Sequence, residues 1–250
     1  MVNLTKLPVE ALESMATTGE QILQCYRVLQ KSGSNVVAEV LREQGTFYEF
    51  DHHPKGDVYD PETCSQYFYH AHREGEHGHF HTFLREEGMP EDCRPAEQSE
   101  APFMKERDDK ISHLIAISMN QAGFPIRLFT TNRWISADNW YKADDVIRML
   151  DRFEMDLASP SWPVNIWLTA MLRLFRPQIV ELVRERDAAV ANWQKEHPDV
   201  DAFEDRGCDI TSVRRISVAA QIKRVNEALA RKVGAVGHGS AEIERPSARI

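Results

Sequence analysis

The chain has 250 residues, 42% hydrophobic and 28% charged, with a net charge of −9 and a pI near 5.6. That length can bury a real core, and the composition is that of a globular protein rather than a disordered or fibrous one. An acidic surface repels nucleic-acid backbones and anionic membrane surfaces, so neither is an expected partner.

The opening stretch MVNLTKLPVEALESM carries acids early and has no long apolar run. It reads as neither a secretory nor a transit peptide, and a cytoplasmic location is expected. Residues 1–45 read as helical. Thr18 and Gln21 resemble a capping box, with Ile22, Tyr26 and Leu29 marking one face behind it. Ser32-Gly33-Ser34 breaks that helix, and Val36, Val37, Val40 and Leu41 mark a second. At residue 46 the period changes. TFYEF (46–50) is strand-like, and Pro54-Lys55-Gly56-Asp57 reads as a turn. Two aromatic-rich runs, 65–73 and 77–85, are predicted strands. Residues 86–110 are acidic, hold three prolines and lack periodicity, which leaves two readings open: a mobile lid or a disordered insertion.

Two further strands are expected over 112–120 and 125–134, with Asn120 to Gly123 as the turn. Ala143, Val146, Ile147, Leu150 and Phe153 then share a helical face. Residues 163–195 predict a long buried helix, bent or broken at Pro177 and ended by His197-Pro198. His197 suits a helix-end cap, and Trp162, Trp167 and Trp193 suit helix core. A last helix is expected from near Ser217, carrying Val218, Ile222, Val225 and Leu229, before a flexible tail at 234–250.

The plan is α+β: one metal-binding domain over 1–233, helical at 1–45, sheet at 46–134 and helical again at 135–233. A four- to five-stranded antiparallel meander is covered by the N- and C-terminal helices. The apolar surface of the C-terminal half is compatible with a homodimer. The most apolar stretch, Pro163 to Phe175, is too short to span a bilayer. Cys25, Cys64, Cys93 and Cys208 are scattered without a C-x-x-C pair, so neither a zinc knuckle nor a disulfide framework is suggested.

The chemistry concentrates in YHAHREGEHGHFH at 69–81, where five of thirteen residues are histidine. A two-residue turn at Glu74-Gly75 pairs Arg73 with Glu76, His72 with His77, His70 with His79 and Phe68 with His81. Alternation then places His70, His72, His77, His79 and His81 on one face. Tyr67, Tyr69, Ala71, Gly78, Phe80 and Thr82 fall on the core face, with Glu76 as an ion-pair partner of Arg73. Opposed imidazoles at strand spacing can share one ion at about 2.0–2.1 Å. Packing explains five alternating histidines poorly, since together they would repel if charged. One or two transition-metal ions are therefore expected, iron or copper ahead of zinc, because no cysteine is near except Cys64 and carboxylates are few. Glu74, at the turn tip, and His113, at the start of the neighbouring strand, are the catalytic candidates; an ordinary polar contact is the plainer reading of His113. His52 and His53 lie just upstream and are read mainly as polar contacts; His238 lies in the tail. Arg127, Thr131 and Arg133 share one strand face and suggest a small, anionic substrate, with a solvated sheet edge as the bland alternative.

H-A-H-R-E-G-E (70–76) is similar to the first part of the cupin metal motif, although the second cupin motif is missing. The longer pattern, Y-H-A-H-R-E-G-E-H-G-H-F-H together with L-F-T-T-N-R-W (128–134), resembles an uncharacterised bacterial family over roughly 45–230. That resemblance implies a shared fold and site without an activity. The functional expectation is a transition-metal-dependent enzyme, oxygen-dependent redox chemistry ahead of zinc-type hydrolysis. A non-catalytic metal carrier, sensor or assembly protein is the alternative.

Overall fold

The computed structural model describes residues 2–45, 48, 50–96 and 110–239, with side chains of the last helix described through Gly234. Of the strand expected at 46–50, residues 46, 47 and 49 lie outside the described residues, and Phe50 sits in a turn at φ 71°. The segment 97–109 of the expected lid lies outside them too, as do 240–250 of the expected tail.

Among the described residues six strands form one antiparallel sheet in sequence order: β1 (His53–Tyr59), β2 (Ser65–His70), β3 (Gly78–Arg85), β4 (Ile111–Met119), β5 (Pro125–Thr131) and β6 (Ile210–Arg215). The α+β plan holds, with six strands in place of four to five. β1 occupies the residues expected as a turn. Gly56 (φ 88°) and Asp57 (φ 61°) take left-handed backbone within it, and the register shifts between His53 and Val58. The turn chemistry is therefore spent on a bulge inside a strand. β6 escapes the sequence pattern because it is short, polar and charged. It returns after four helices to pair with β5, and the Ser212 hydroxyl donates to the Leu182 carbonyl 2.8 Å away.

Among the described residues seven α-helices accompany the sheet: α1 (Val9–Lys31), α2 (Val36–Val40), α3 (Arg133–Ser136), α4 (Ala143–Met149), α5 (Trp162–Leu174), α6 (Arg176–Glu196) and α7 (Val218–Gly239). α1 starts nine residues ahead of the expected capping box. Thr18 lies inside it, its hydroxyl donating to the Ser14 carbonyl (2.7 Å). The expected 163–195 helix is broken at Phe175, which ends α5 and starts α6, and Pro177 occupies the first turn of α6, where a missing N–H costs nothing. α7 runs on through Gly234 to Gly239, into the residues expected as tail.

One continuous core joins the sheet to the helices. Tyr67, Tyr69, Phe80, Ile117 and Leu128 face Trp167 and Leu168 of α5. Phe80 and Trp167 lie 5.6 Å apart, and the Tyr67 hydroxyl donates to Asn165 (2.7 Å). α1 packs on α5 and α7. A Cβ on Gly19 would come within 2.8 Å of Ile222, so glycine lets α1 and α7 approach. Trp167 is core as expected, but Trp162 is 56% exposed at the start of α5. Trp193 stacks on His197, whose Nδ1 lies 3.1 Å from the Trp193 carbonyl at the end of α6. All four cysteines are buried and unpaired. Among the described residues, no helix is long and apolar enough to cross a membrane.

Candidate metal centre

The β2–β3 register places His70 opposite His79, Tyr69 opposite Phe80 and Phe68 opposite His81. Alternation sends the tyrosines and Phe80 to the helices, and His70, His79, His81 and Phe68 to the other face. The ladder ends at His70 and Gly78, and 71–77 form a loop. Glycine is needed at 78 because a Cβ there would lie 2.6 Å from both the His70 carbonyl and the Tyr69 hydroxyl. The Tyr69 ring lies over that gap, and its hydroxyl reaches Nδ1 of His77 at 2.7 Å. His77 thus sits with Tyr69 and leaves the histidine face, contrary to the alternation.

Glu76 departs the other way. It turns onto the histidine face, 1% exposed, with Oε1 2.5 Å from Nδ1 of His79 and Oε2 accepting from Arg127 Nη2 at 3.1 Å. Its expected partner, Arg73, instead grips Asp209 through both terminal nitrogens (2.6 and 3.1 Å) and lies over the Phe129 ring. Past the His70–His79 pair β2 and β3 no longer pair, so charge and hydrogen bonding decide where the side chains of 71–77 point.

His70, His72 and His79 form a group that can hold a metal ion, one nitrogen from each lying within 4.8 Å of the others. Nε2 of His70 and Nε2 of His79 are 2.7 Å apart, a hydrogen-bonding separation in which one ring donates its N–H to the other. Glu76 on Nδ1 of His79 favours the tautomer with Nε2 free, the arrangement that an outer-sphere carboxylate gives an imidazole able to take a metal. Burial, then the neighbouring imidazoles, push the His70 pKa down to about 2. Burial also lowers His72, and for His79 it outweighs the bond and charge of Glu76 that work to raise it. Burial works to raise the Glu76 carboxyl, but His79 and Arg127 outweigh it and hold it below the ordinary range. At neutral pH the imidazoles are therefore uncharged, with lone pairs available to a cation.

His81 and His113 form a second layer. Nδ1 of His81 lies 2.9 Å from Nε2 of His113, and both are buried. A bulge makes this contact. Thr82 pairs with Ile115 but Phe83 pairs with His113, so Leu114 is the extra residue and His113 shifts onto the histidine face. The His113 backbone N–H donates to the Asp138 carboxylate (2.8 Å). Burial lowers His113 to about 3 and His81 well below its ordinary value. The His81 ring is 4.9 Å from His79 and 5.1 Å from His70, outside the three-residue group, and its Nε2 is buried without a hydrogen-bond partner among the described residues.

The remaining candidates are dispersed. His52 stacks on Phe68 at 3.6 Å and bonds Asp57, while His53 opens β1; neither joins the group. Glu74 is exposed at the mouth of a cleft of ≈ 360 Å³, which His72, Arg73, Glu76, Arg127 and Phe129 also line. Arg127 therefore lies at the site. Thr131 is buried and does not line the cleft. Arg133 is drawn away: β5 stops at Thr131, Asn132 caps α3, and the Arg133 guanidinium pairs with Glu204 over the Phe203 ring. Sequence reading missed Glu76 and Asp209. The cupin-like H-x-H plus glutamate was a usable signal for Glu76. Nothing local marked Asp209.

The model of one family, a domain of unknown function (DUF6969), matches residues 16–216. The chain belongs to that family. No curated protein and no solved structure matches it. The DUF6969 region runs from within α1 to the residue after β6, so it contains the whole sheet and every residue of the centre, while α7 lies beyond it. The resemblance to an uncharacterised family holds at this level.

Proposed function

We propose that the protein is a transition-metal-dependent enzyme whose ion is held by His70, His72 and His79 at the edge of a small cleft. The convergence of these three imidazoles, with His79 oriented by Glu76, carries the reading. Three protein ligands leave coordination positions for water, oxygen or substrate. His72 is the half-buried member and lines the cleft, so the open side faces it. A carrier or sensor that exchanges its metal freely is less well supported, because His70 and His79 are buried, His79 completely.

Oxygen-dependent redox chemistry at iron or copper is the preferred reaction class. Hydrolysis wants a carboxylate free to take a proton from metal-bound water. Both Glu76 oxygens are already engaged, by His79 and Arg127, and Glu74 stands at the exposed mouth. Zinc hydrolysis remains the second reading because three histidines are also the ligand set of open catalytic zinc sites. Metal analysis of untagged protein separates them. Stoichiometric iron or copper that is lost in His70→Ala and His79→Ala is the expected result. Zinc alone in every supplementation condition overturns the redox reading, and no stoichiometric metal overturns the proposal.

A further inference from the structure

We infer that the cleft beside the three histidines is a binding site for a small monocarboxylate, gripped by Arg127. The inference rests on the metal reading above and specifies what the centre acts upon. Arg127 lines the cleft, is 31% exposed there and donates to Glu76 through Nη2 only, at 3.1 Å. The other cleft arginine is differently placed. Arg73 commits both terminal nitrogens to Asp209, so Arg127 is the guanidinium available to an incoming anion. A guanidinium fork matches the two oxygens of a carboxylate.

Charge sets the valence of the occupant. Two arginines (Arg73 and Arg127) and three carboxylates (Glu74, Glu76 and Asp209) line the cleft. A divalent ion at the histidines leaves one net positive charge, which suits a singly charged anion and opposes a doubly charged phosphate. Size and polarity narrow the class further. The cleft, ≈ 360 Å³, falls at the low end of small-molecule sites. Phe129 forms one wall, and the half-exposed Ile210 and Val213 of β6 form another, giving an apolar flank beside the charged end. A short organic acid, its carboxylate on Arg127 and its chain along β5 and β6, fits all three.

Arg127 also ties the occupant to the metal. Arg127, Glu76 and His79 form an unbroken chain, 3.1 Å and then 2.5 Å, from the cleft to a ligand nitrogen's own ring. An anion drawing on Arg127 leaves more negative charge on Glu76 and makes His79 the stronger donor. Carboxylate binding is thus expected to change the spectrum of the bound ion.

The test uses the full chain loaded with cobalt(II), titrated with butanoate, butanamide and inorganic phosphate, with affinity read by calorimetry and the ion by its visible spectrum. Butanoate is expected to bind at least tenfold tighter than the other two and to shift the cobalt bands. Arg127→Met, saturated with cobalt, is expected to lose tenfold or more in butanoate affinity together with the band shift. Equal binding by Arg127→Met and wild type, or phosphate or butanamide binding as tightly as butanoate, overturns the inference. If wild type takes up no cobalt, the metal reading is what fails. Titration of the metal-free protein up to millimolar butanoate then decides the cleft alone: Arg127-dependent binding, weakened by the one net negative charge that remains without the ion, upholds it, and binding that Arg127→Met leaves unchanged, or no binding, overturns it.

Discussion

The two faces of the β2–β3 hairpin are built from alternating residues of the same strands, yet they are buried for opposite reasons. Tyr69 and Phe80, paired across the ladder, are fully buried against Trp167 and the helical core. One residue on, His70 and His79 are paired in the same way and almost as buried, but against imidazoles, a carboxylate and a guanidinium. The first face gains the full transfer free energy of large aromatic groups. The second holds neutral imidazoles whose pKa values burial has lowered, and it leaves Nε2 of His81 without a partner among the described residues. A buried polar surface of that kind costs stability unless something fills it, whereas a buried apolar one needs nothing further.

Substitutions on the two faces should therefore separate stability from metal binding. The largest expected effect is on the helix face. Phe80→Ala removes a ring in contact with Trp167 and should cost about 3–5 kcal/mol in denaturant unfolding, whether or not metal is present. If the loss were under about 1 kcal/mol, the helix face would not be the folding core. Next comes metal itself. A saturating ion at a hundred times its dissociation constant should stabilise wild type by about 2.7 kcal/mol, seen as a rise in melting temperature that a chelator reverses. His72→Ala should abolish that rise while leaving metal-free stability within about 0.5 kcal/mol, since His72 is half-buried. A rise persisting in His72→Ala would place the ion elsewhere.

A smaller effect is expected at Glu76. Glu76→Gln keeps the shape but weakens the hold on Nδ1 of His79, and metal affinity measured by competition should fall about 10- to 100-fold. Unchanged affinity would return Glu76 to the structural role first assigned to it. The mildest is a pH slope in the metal-free protein. The folded-state pKa of His70 lies near 2, below its ordinary value, so on acidification the unfolded chain takes up the proton first. Stability is then fully present above about pH 6.5 and is lost as pH falls below it, at up to ~1.4 kcal/mol per pH unit for that group. Stability that rose on acidification from pH 7 to 5 would contradict the burial of these imidazoles.

Much of this contrast was legible in the residues. The alternation of aromatics and histidines in 65–70 and 78–85 fixes which side chains share a face, because the pleat reverses direction at every residue. The expected tight Glu74-Gly75 turn gave the right partners for His70 and Phe68, although the loop that forms spans 71–77 and leaves His72 and Arg73 unpaired with His77 and Glu76 in the ladder. The same rule misplaced His77 and Glu76 because it was carried past His70–His79, the last pair between β2 and β3. His113 reaches His81 through a one-residue bulge at Leu114, which has no local signature of its own.

Sequence by itself therefore determined the class of the fold, the existence of a histidine face and the pairings within the regular hairpin, all consequences of period and turn chemistry between near neighbours. Tertiary structure alone decided what surrounds that face. β6 arrives from residue 210 to wall the cleft, Asp209 captures Arg73, Arg127 meets Glu76 across three strands, and Glu204 takes Arg133 away. These are contacts between charges far apart in the chain, and only the folded geometry brings each within hydrogen-bonding reach of its partner.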